Sequence, residues 1–335
     1  MLYWIKFQKK LELAMNEFAL IQKYFKKLTY NNPSALNLND DVFFDKKNNV
    51  VVSSDTYVEG VHFLDFRKPD LVIKKILRSS ISDLYCKGVK PKFIFIGASG
   101  NKKSFSKKNL NLIHKSLKQE QKKYKIKLSG GDTTKSNKTT FTITSLGYSK
   151  RIVRRNKCKN KDDIYVTGNL GDSYLGLLIL KKKLFLKKTK QRKYFIQKYY
   201  MPDLPTKISS KLIKFANSSI DISDGLFGDL IKLINKSKLY FRLDLEKIPI
   251  SSKLKSYLVK TKKKIISFIS KGDDYQILFT SSKSNRRYIK SLFKRMNQKV
   301  TLIGNLSNEI KSNQIICNKN LIKHSYNEGY SHNFS

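Results

Sequence analysis

Acidic side chains are scarce in this 335-residue sequence, 25 Asp and Glu against 69 Lys and Arg, so where they stand carries information. They gather beside glycines and hydroxyl residues: Asp40-Asp41, Ser53-Ser54-Asp55-Thr56, Asp83, Gly130-Gly131-Asp132-Thr133-Thr134, Asp221-Ile222-Ser223-Asp224-Gly225 and Gly272-Asp273-Asp274. A hard cation such as Mg2+ takes oxygen ligands in near-octahedral geometry. Sites that handle nucleotide phosphates hold it through a few carboxylates, phosphate oxygens and water. A single Asp-Gly or Asp-Asp pair is ordinary turn or helix-cap chemistry. Six such clusters in so acid-poor a chain point instead to metal-assisted phosphoryl chemistry.

What is missing narrows that class. There is no Gly-x-x-x-x-Gly-Lys-Ser/Thr phosphate loop and no His-Arg-Asp or Asp-Phe-Gly set of a protein kinase. The histidines His62, His114, His324 and His332 lack metal-binding spacing. Cys86, Cys158 and Cys317 are far apart and read as reduced and incidental. A formal net charge of +44 would suit a nucleic-acid binder. The basic residues, however, are mostly Lys and are scattered through nearly every segment among Asn, Ile, Phe and Tyr. That is biased composition, not a docking stripe, and no specific nucleic-acid partner is expected. Phe93–Ile96 and Leu177–Leu180 are the longest apolar runs, far short of the roughly 20 residues that cross a bilayer. No membrane span is expected. The start, Met1-Leu2-Tyr3-Trp4-Ile5-Lys6, lacks the pattern of a secretory signal, so the expected location is cytoplasmic.

The elements that must hold the acids follow from periodicity. Phe18, Ala19, Ile21, Tyr24, Phe25 and Leu28 recur at helical spacing over 16–28. Helical patterns also cover 70–86, 107–124, 206–216 and 226–236, with another starting at Asp172 or Ser173. β-Branched runs predict strands at 50–55, 141–146, 164–167, 220–222, 268–270 and 276–280. A chain this long suggests about two domains, and the interleaving of helices and strands predicts an α/β (α+β layered) architecture. The polar stretch 150–163 is the expected junction. That divides the chain into an N-terminal extension, 1–15, and two domains, 16–150 and 151–335. Met15 immediately precedes the first helical pattern and is a workable start.

In order, these motifs resemble the thiamine-monophosphate kinase family, of the superfamily that includes aminoimidazole ribonucleotide synthetase and selenophosphate synthetase. The likeness runs from Asn16 to Phe334. It includes Glu17-Phe18-Ala19-Leu20-Ile21, Glu59-Gly60-Val61-His62-Phe63, Ser82-Asp83-Leu84, Gly168-x-x-Gly171-Asp172-Ser173 and the terminal Gly329-Tyr330-Ser331-His332-Asn333-Phe334. The resemblance implies a two-domain fold whose N-terminal sheet pairs with that of a second subunit in a homodimer. It also implies ATP-dependent phosphorylation of thiamine phosphate to thiamine diphosphate. Asp41, Ser53, Ser54, Asp55, Asp83, Asp132, Asp221 and Asp224 would hold several Mg2+ ions. Gly131, Asp132, Arg155 and Ser223 would contact ATP, and His62, Asp273 and Tyr330 would contact thiamine phosphate. The chain departs from the family pattern at Asn39, Lys271, Asp273, Gln276 and Ser331, most of them on the substrate side. The rivals are another ATP-using enzyme of the superfamily and a basic nucleic-acid-binding protein. No cysteine precedes Cys86, where a selenophosphate synthetase would want a reactive one.

Overall fold

The computed structural model describes residues 17–235, 237–322, 329 and 330. The expectations for the extension 1–15, for His324 and for Ser331, His332, Asn333 and Phe334 lie outside the described residues.

Alternating side chains make the first sheet two-sided. After the short strand β1, Phe43–Asp45, strand β2, Val50–Val58, buries Val51, Ser53 and Tyr57 and turns Ser54 and Thr56 outward. The long helix α1, Pro69–Cys86, begins with a proline at its first turn, where the missing N–H costs nothing. It stops before Gly88, whose φ of 84° suits glycine. Strand β3, Pro91–Gly100, helix α2, Lys107–Tyr124, and strand β4, Lys127–Lys135, form a parallel crossover unit. Strand β5, Thr140–Tyr148, completes the order β1-β2-β5-β3-β4. Ile73, Ile76, Leu77 and Ile81 of α1 pack with Ile94, Phe141 and Ile143 of the sheet.

The second half is a mixed seven-stranded sheet. Its elements are β6, Asp163–Thr167; α3, Asp172–Leu180; α4, Thr189–Tyr200; β7, Ser218–Asp221; α5, Leu226–Ile234; β8, Tyr240–Asp244; α6, Ser252–Thr261; β9, Ile277–Ser281; α7, Arg286–Arg295; β10, Val300–Ser307; β11, Gln314–Cys317; and β12, Asn320–Leu321. The strand order is β12-β11-β8-β10-β6-β9-β7, antiparallel except where β11 meets β8. Ile164, Val166, Ile220, Leu230, Phe241 and Leu278 sit in its core. Helix α1 packs on β2, β5 and β7, so it touches both sheets. Among the described residues, no helix is long and apolar enough to cross a membrane.

Three segments differ from expectation. Residues 268–270, predicted as a strand, belong to a short helix, Ile266–Ile269, with its C-cap at Ser270. Burial of Phe268 and Ile269 on two different apolar clusters explains why an unbroken apolar run coils here. The predicted helix 206–216 breaks into Thr206–Ser209 and a 3-10 turn, Leu212–Lys214, because the Ser209 hydroxyl is drawn away to the carbonyls of Tyr85 and Val89. The opening helix is α-helical only over Glu17–Leu20 and then passes through π and 3-10 turns to Thr29. It buries no residue that would hold it regular.

Candidate active site

Three carboxylates from distant parts of the chain meet where the sheets approach each other. Asp41 comes from the loop before β1, Asp83 from the last turn of α1 and Asp221 from the end of β7, and one oxygen of each lies within 4.8 Å of the others. The Ser53 hydroxyl donates to Asp83 and the Ser82 hydroxyl donates to Asp221. Asp55 stands against Asp83 and accepts from the Tyr57 hydroxyl at 3.1 Å. Burial pushes Asp55 and Asp221 up to about 6. Asp83 is driven well above the usual carboxylate range, by burial first and then by the charges of Asp55 and Asp221. Like charges gathered in a desolvated place favour protons or cations. All the ligands are hard oxygens, the donor set that suits Mg2+ and not a thiolate- or imidazole-seeking metal.

Two cations, Lys87 buried and Arg155 partly buried, balance part of this charge. Lys87, with a fully buried side chain, pairs with Asp40 at 2.8 Å and with Asp41 at 2.5 Å, and donates to the Ser219 carbonyl. Arg155 donates through Nε to Asp41 at 3.0 Å, and its backbone N–H donates to Asp40. A second acidic group adjoins the first. Asp224, also pushed up to about 6 by burial and by the charge of Asp229, is ion-paired with Lys232. Asp229 accepts from the Asp224 and Gly225 N–H groups and from Lys232 at 3.1 Å.

An aromatic path leads from the carboxylates to the expected substrate residues. The Tyr57 ring meets His62 edge-on at 5.8 Å, and His62 Nδ1 accepts from the Val58 N–H. Both Tyr57 and Tyr275 reach the Ser79 hydroxyl. Tyr275 donates to Asp273, which is ion-paired with Lys75 of α1. The turn that carries Asp273 is fastened to the Asp221–Gly225 turn, since the Asp273 N–H donates to the Ser223 carbonyl at 2.9 Å. A Cβ at Gly272 would fall 1.6 Å from that carbonyl oxygen, so no larger residue fits the crossing.

Other expected residues stand apart. Ser54 lies on the exposed face of β2, bonded to Thr144, because strand alternation turns it away from Ser53 and Asp55. Gly131 and Asp132 lie within the exposed edge strand β4. Asp132 is in register with Gly97, Thr142 and Thr56, which puts it three strand spacings, about 14 Å along the sheet, from β2. A Cβ at Gly131 would meet the Ile96 carbonyl oxygen at 2.0 Å. Tyr330 approaches the acids through its N–H, which donates to the Asp224 carbonyl, and its ring is half-exposed. Of the departures, Gln276 bonds Thr167 and the Asp203 carbonyl, while neighbouring Asp274 caps α3 through the Gly171 N–H. Sequence reasoning missed Lys75, Lys87, Asp229 and Lys232. Among 69 basic residues nothing singled out the three lysines, although Asp229 stood within a turn of the Asp-Gly motif.

Residues 38–149 match the family model for AIR synthase related protein, N-terminal domain. That match and the paired sheets around clustered carboxylates place the chain in this class of α/β proteins. The chain is 34% identical over 321 residues to a thiamine-monophosphate kinase of Buchnera aphidicola subsp. Schizaphis graminum, covering 92% of this chain and 97% of the relative. It is 30% identical to the thiamine-monophosphate kinase of Escherichia coli K12, covering 89% and 93%. A solved structure described as AaThiL complexed with AMPPCP and TMP superposes with a TM-score of 0.80 at 26% identity, over 95% of this chain and 97% of that one. The chain belongs to the thiamine-monophosphate kinase family.

Proposed function

We propose that the protein transfers the γ-phosphoryl group of ATP to the terminal phosphate oxygen of thiamine phosphate, giving thiamine diphosphate and ADP. The observation that carries this reading is the meeting of Asp41, Asp83 and Asp221 within 4.8 Å in a chain of this family. The relatives are named for this reaction, and the structural neighbour holds AMPPCP together with TMP.

Asp41, Asp55, Asp83 and Asp221 would hold Mg2+, with Ser53 and Asp224 at the margin. Bound there, the ions would neutralise phosphate charge and align the two phosphates in line. The protein's own groups do the rest. Lys87 stays on Asp40 and Asp41 and keeps the acidic cluster from repelling itself apart. Arg155 lies at the same carboxylates, where its guanidinium would contact an ATP phosphate. His62, Tyr57, Tyr275 and Asp273 form the acceptor end. The accepting oxygen is already anionic, so no strong general base is needed, and positioning supplies the rate.

Asp132, Gly131, Ser54 and Tyr330 join this reading through the family likeness. For Asp132 on an edge strand, a second subunit is the natural means of completing the surroundings. We therefore include a homodimer built on the first sheet, supported by the exposed strand β4 and by the exposed Phe95 and Tyr148. The division at 150–163, a cytoplasmic location and the dispensability of 1–14 belong to the same reading. Purified protein with ATP and Mg2+ is expected to release ADP only when thiamine phosphate is added. ADP release indifferent to thiamine phosphate, from folded protein, would overturn the assignment.

A further inference from the structure

Lys75 is an unusual lysine. Its side chain is 2% exposed, yet its ammonium pairs with Asp273, 198 residues away and 25% exposed. The ammonium lies 4.1 Å over the Tyr199 ring and 5.7 Å from the Tyr275 ring, contacts that offset part of the cost of burying it. A buried ammonium is costly unless paired, so this one is held in place by its surroundings.

The pairing is one-sided. Lys75 Nζ and the Tyr275 hydroxyl both donate to the same Asp273 oxygen, Oδ1. Among the described residues, no hydrogen bond reaches Oδ2. The backbone beneath is set too: Asp273 has φ of 70°, and its N–H is tied to Ser223. Lys75 also stands on α1 two turns before Asp83, so one rigid helix spans both ends of the site.

We propose that Lys75 is a positioning residue that clamps Oδ1 of Asp273 and so presents Oδ2 to the cationic ring of the acceptor substrate. The inference rests on the kinase reading and assigns Lys75 a part in substrate selection, not in the transfer step. Asp273 has a short side chain with few rotamers, and a clamp from α1 is what aims it.

The test is a double-mutant cycle on Lys75→Met and Asp273→Asn, with Lys75→Arg as the conservative variant. KM and kcat are measured for both substrates, and the dissociation constant of thiamine phosphate is measured by calorimetry. Lys75→Met should raise KM for thiamine phosphate about tenfold, with KM for ATP within about twofold. It should have no further effect in the Asp273→Asn background, and Lys75→Arg should recover part of the loss. The double variant removes both charges and provides a folded comparison if Lys75→Met alone is unstable. Additive effects would overturn the proposal, because a lysine that touches the substrate phosphate directly would act without Asp273. Equal losses for both substrates would overturn it too. Wild-type protein that neither turns over nor binds thiamine phosphate would sink the kinase reading and this inference together, whereas wild-type turnover with an additive cycle would sink the inference alone.

Discussion

Asp83 shows how a site and a fold make opposite demands on one side chain. It is driven up by burial and by Asp55 and Asp221, so its ionised form strains the metal-free protein. Asp83→Asn is expected to lower turnover at least about 100-fold by removing a proposed cation ligand. The same change should raise the stability of the metal-free protein by about 1 kcal/mol at neutral pH. Turnover and thermal unfolding in chelator check the two signs, and a variant that stays active would remove Asp83 from the site. A pH dependence follows from the same group of acids. Asp55, Asp221 and Asp224 are pushed up to about 6, while unfolded carboxylates titrate near 4. The folded state therefore binds more protons in that window, and these groups cost stability as pH rises from about 4 through about 6. On the proposed function, Mg2+ would take the place of those protons. Its stabilising shift in thermal midpoint should be large near about pH 7.5 and fade towards about pH 5. A shift of equal size at both values would count against these carboxylates as the binding site.

At the scale of elements, the site depends on loops that cross without room to spare. The Asp221–Gly225 turn and the Gly272–Asp274 turn touch at Ser223 and Gly272, and a Cβ at Gly225 would lie 2.5 Å from the Ser270 carbonyl. Gly272→Ala must push the two turns apart. It is expected to cost about 2–4 kcal/mol of stability and to weaken thiamine phosphate binding more than ATP binding. Urea unfolding and the two KM values measure this, and a neutral Gly272→Ala would mean the turns separate freely. Helix α1 is the other positioning element. It carries Lys75, Ser79, Ser82 and Asp83 towards the second half of the chain, while its apolar residues lie on the first sheet.

At the scale of the whole molecule, the first sheet has helices α1 and α2 on one side and leaves Phe95 and Tyr148 exposed. Strand β4 is exposed along its full length. An open sheet of this kind invites a second copy. Phe95→Lys is expected to convert a dimer to monomer at micromolar concentration, read by sedimentation, and to reduce turnover. A monomeric wild type with full activity would remove the dimer from the proposal. The charge of +44 adds repulsion between copies at low salt, so association should strengthen as salt is raised.

The sequence alone showed the order of the motifs and where the scarce acids gather. Asp and Ser at Asp41, Ser53, Asp55, Asp83, Asp221 and Asp224 were legible because acids are rare here and cluster with small residues. β-Branched runs marked β2, β5, β6 and β9 because strand side chains alternate locally. Residues 268–270 and 206–216 were misread because their conformation answers to distant partners: two apolar clusters for the first, and the carbonyls of Tyr85 and Val89 for Ser209. Only the tertiary structure decided which acids share a site. It joined Asp41, Asp83 and Asp221, turned Ser54 outward and left Asp132 on an edge strand. It also picked Lys75 and Lys87 out of 69 basic residues, since a lysine's role depends on burial and on its partner, and neither is a property of local sequence.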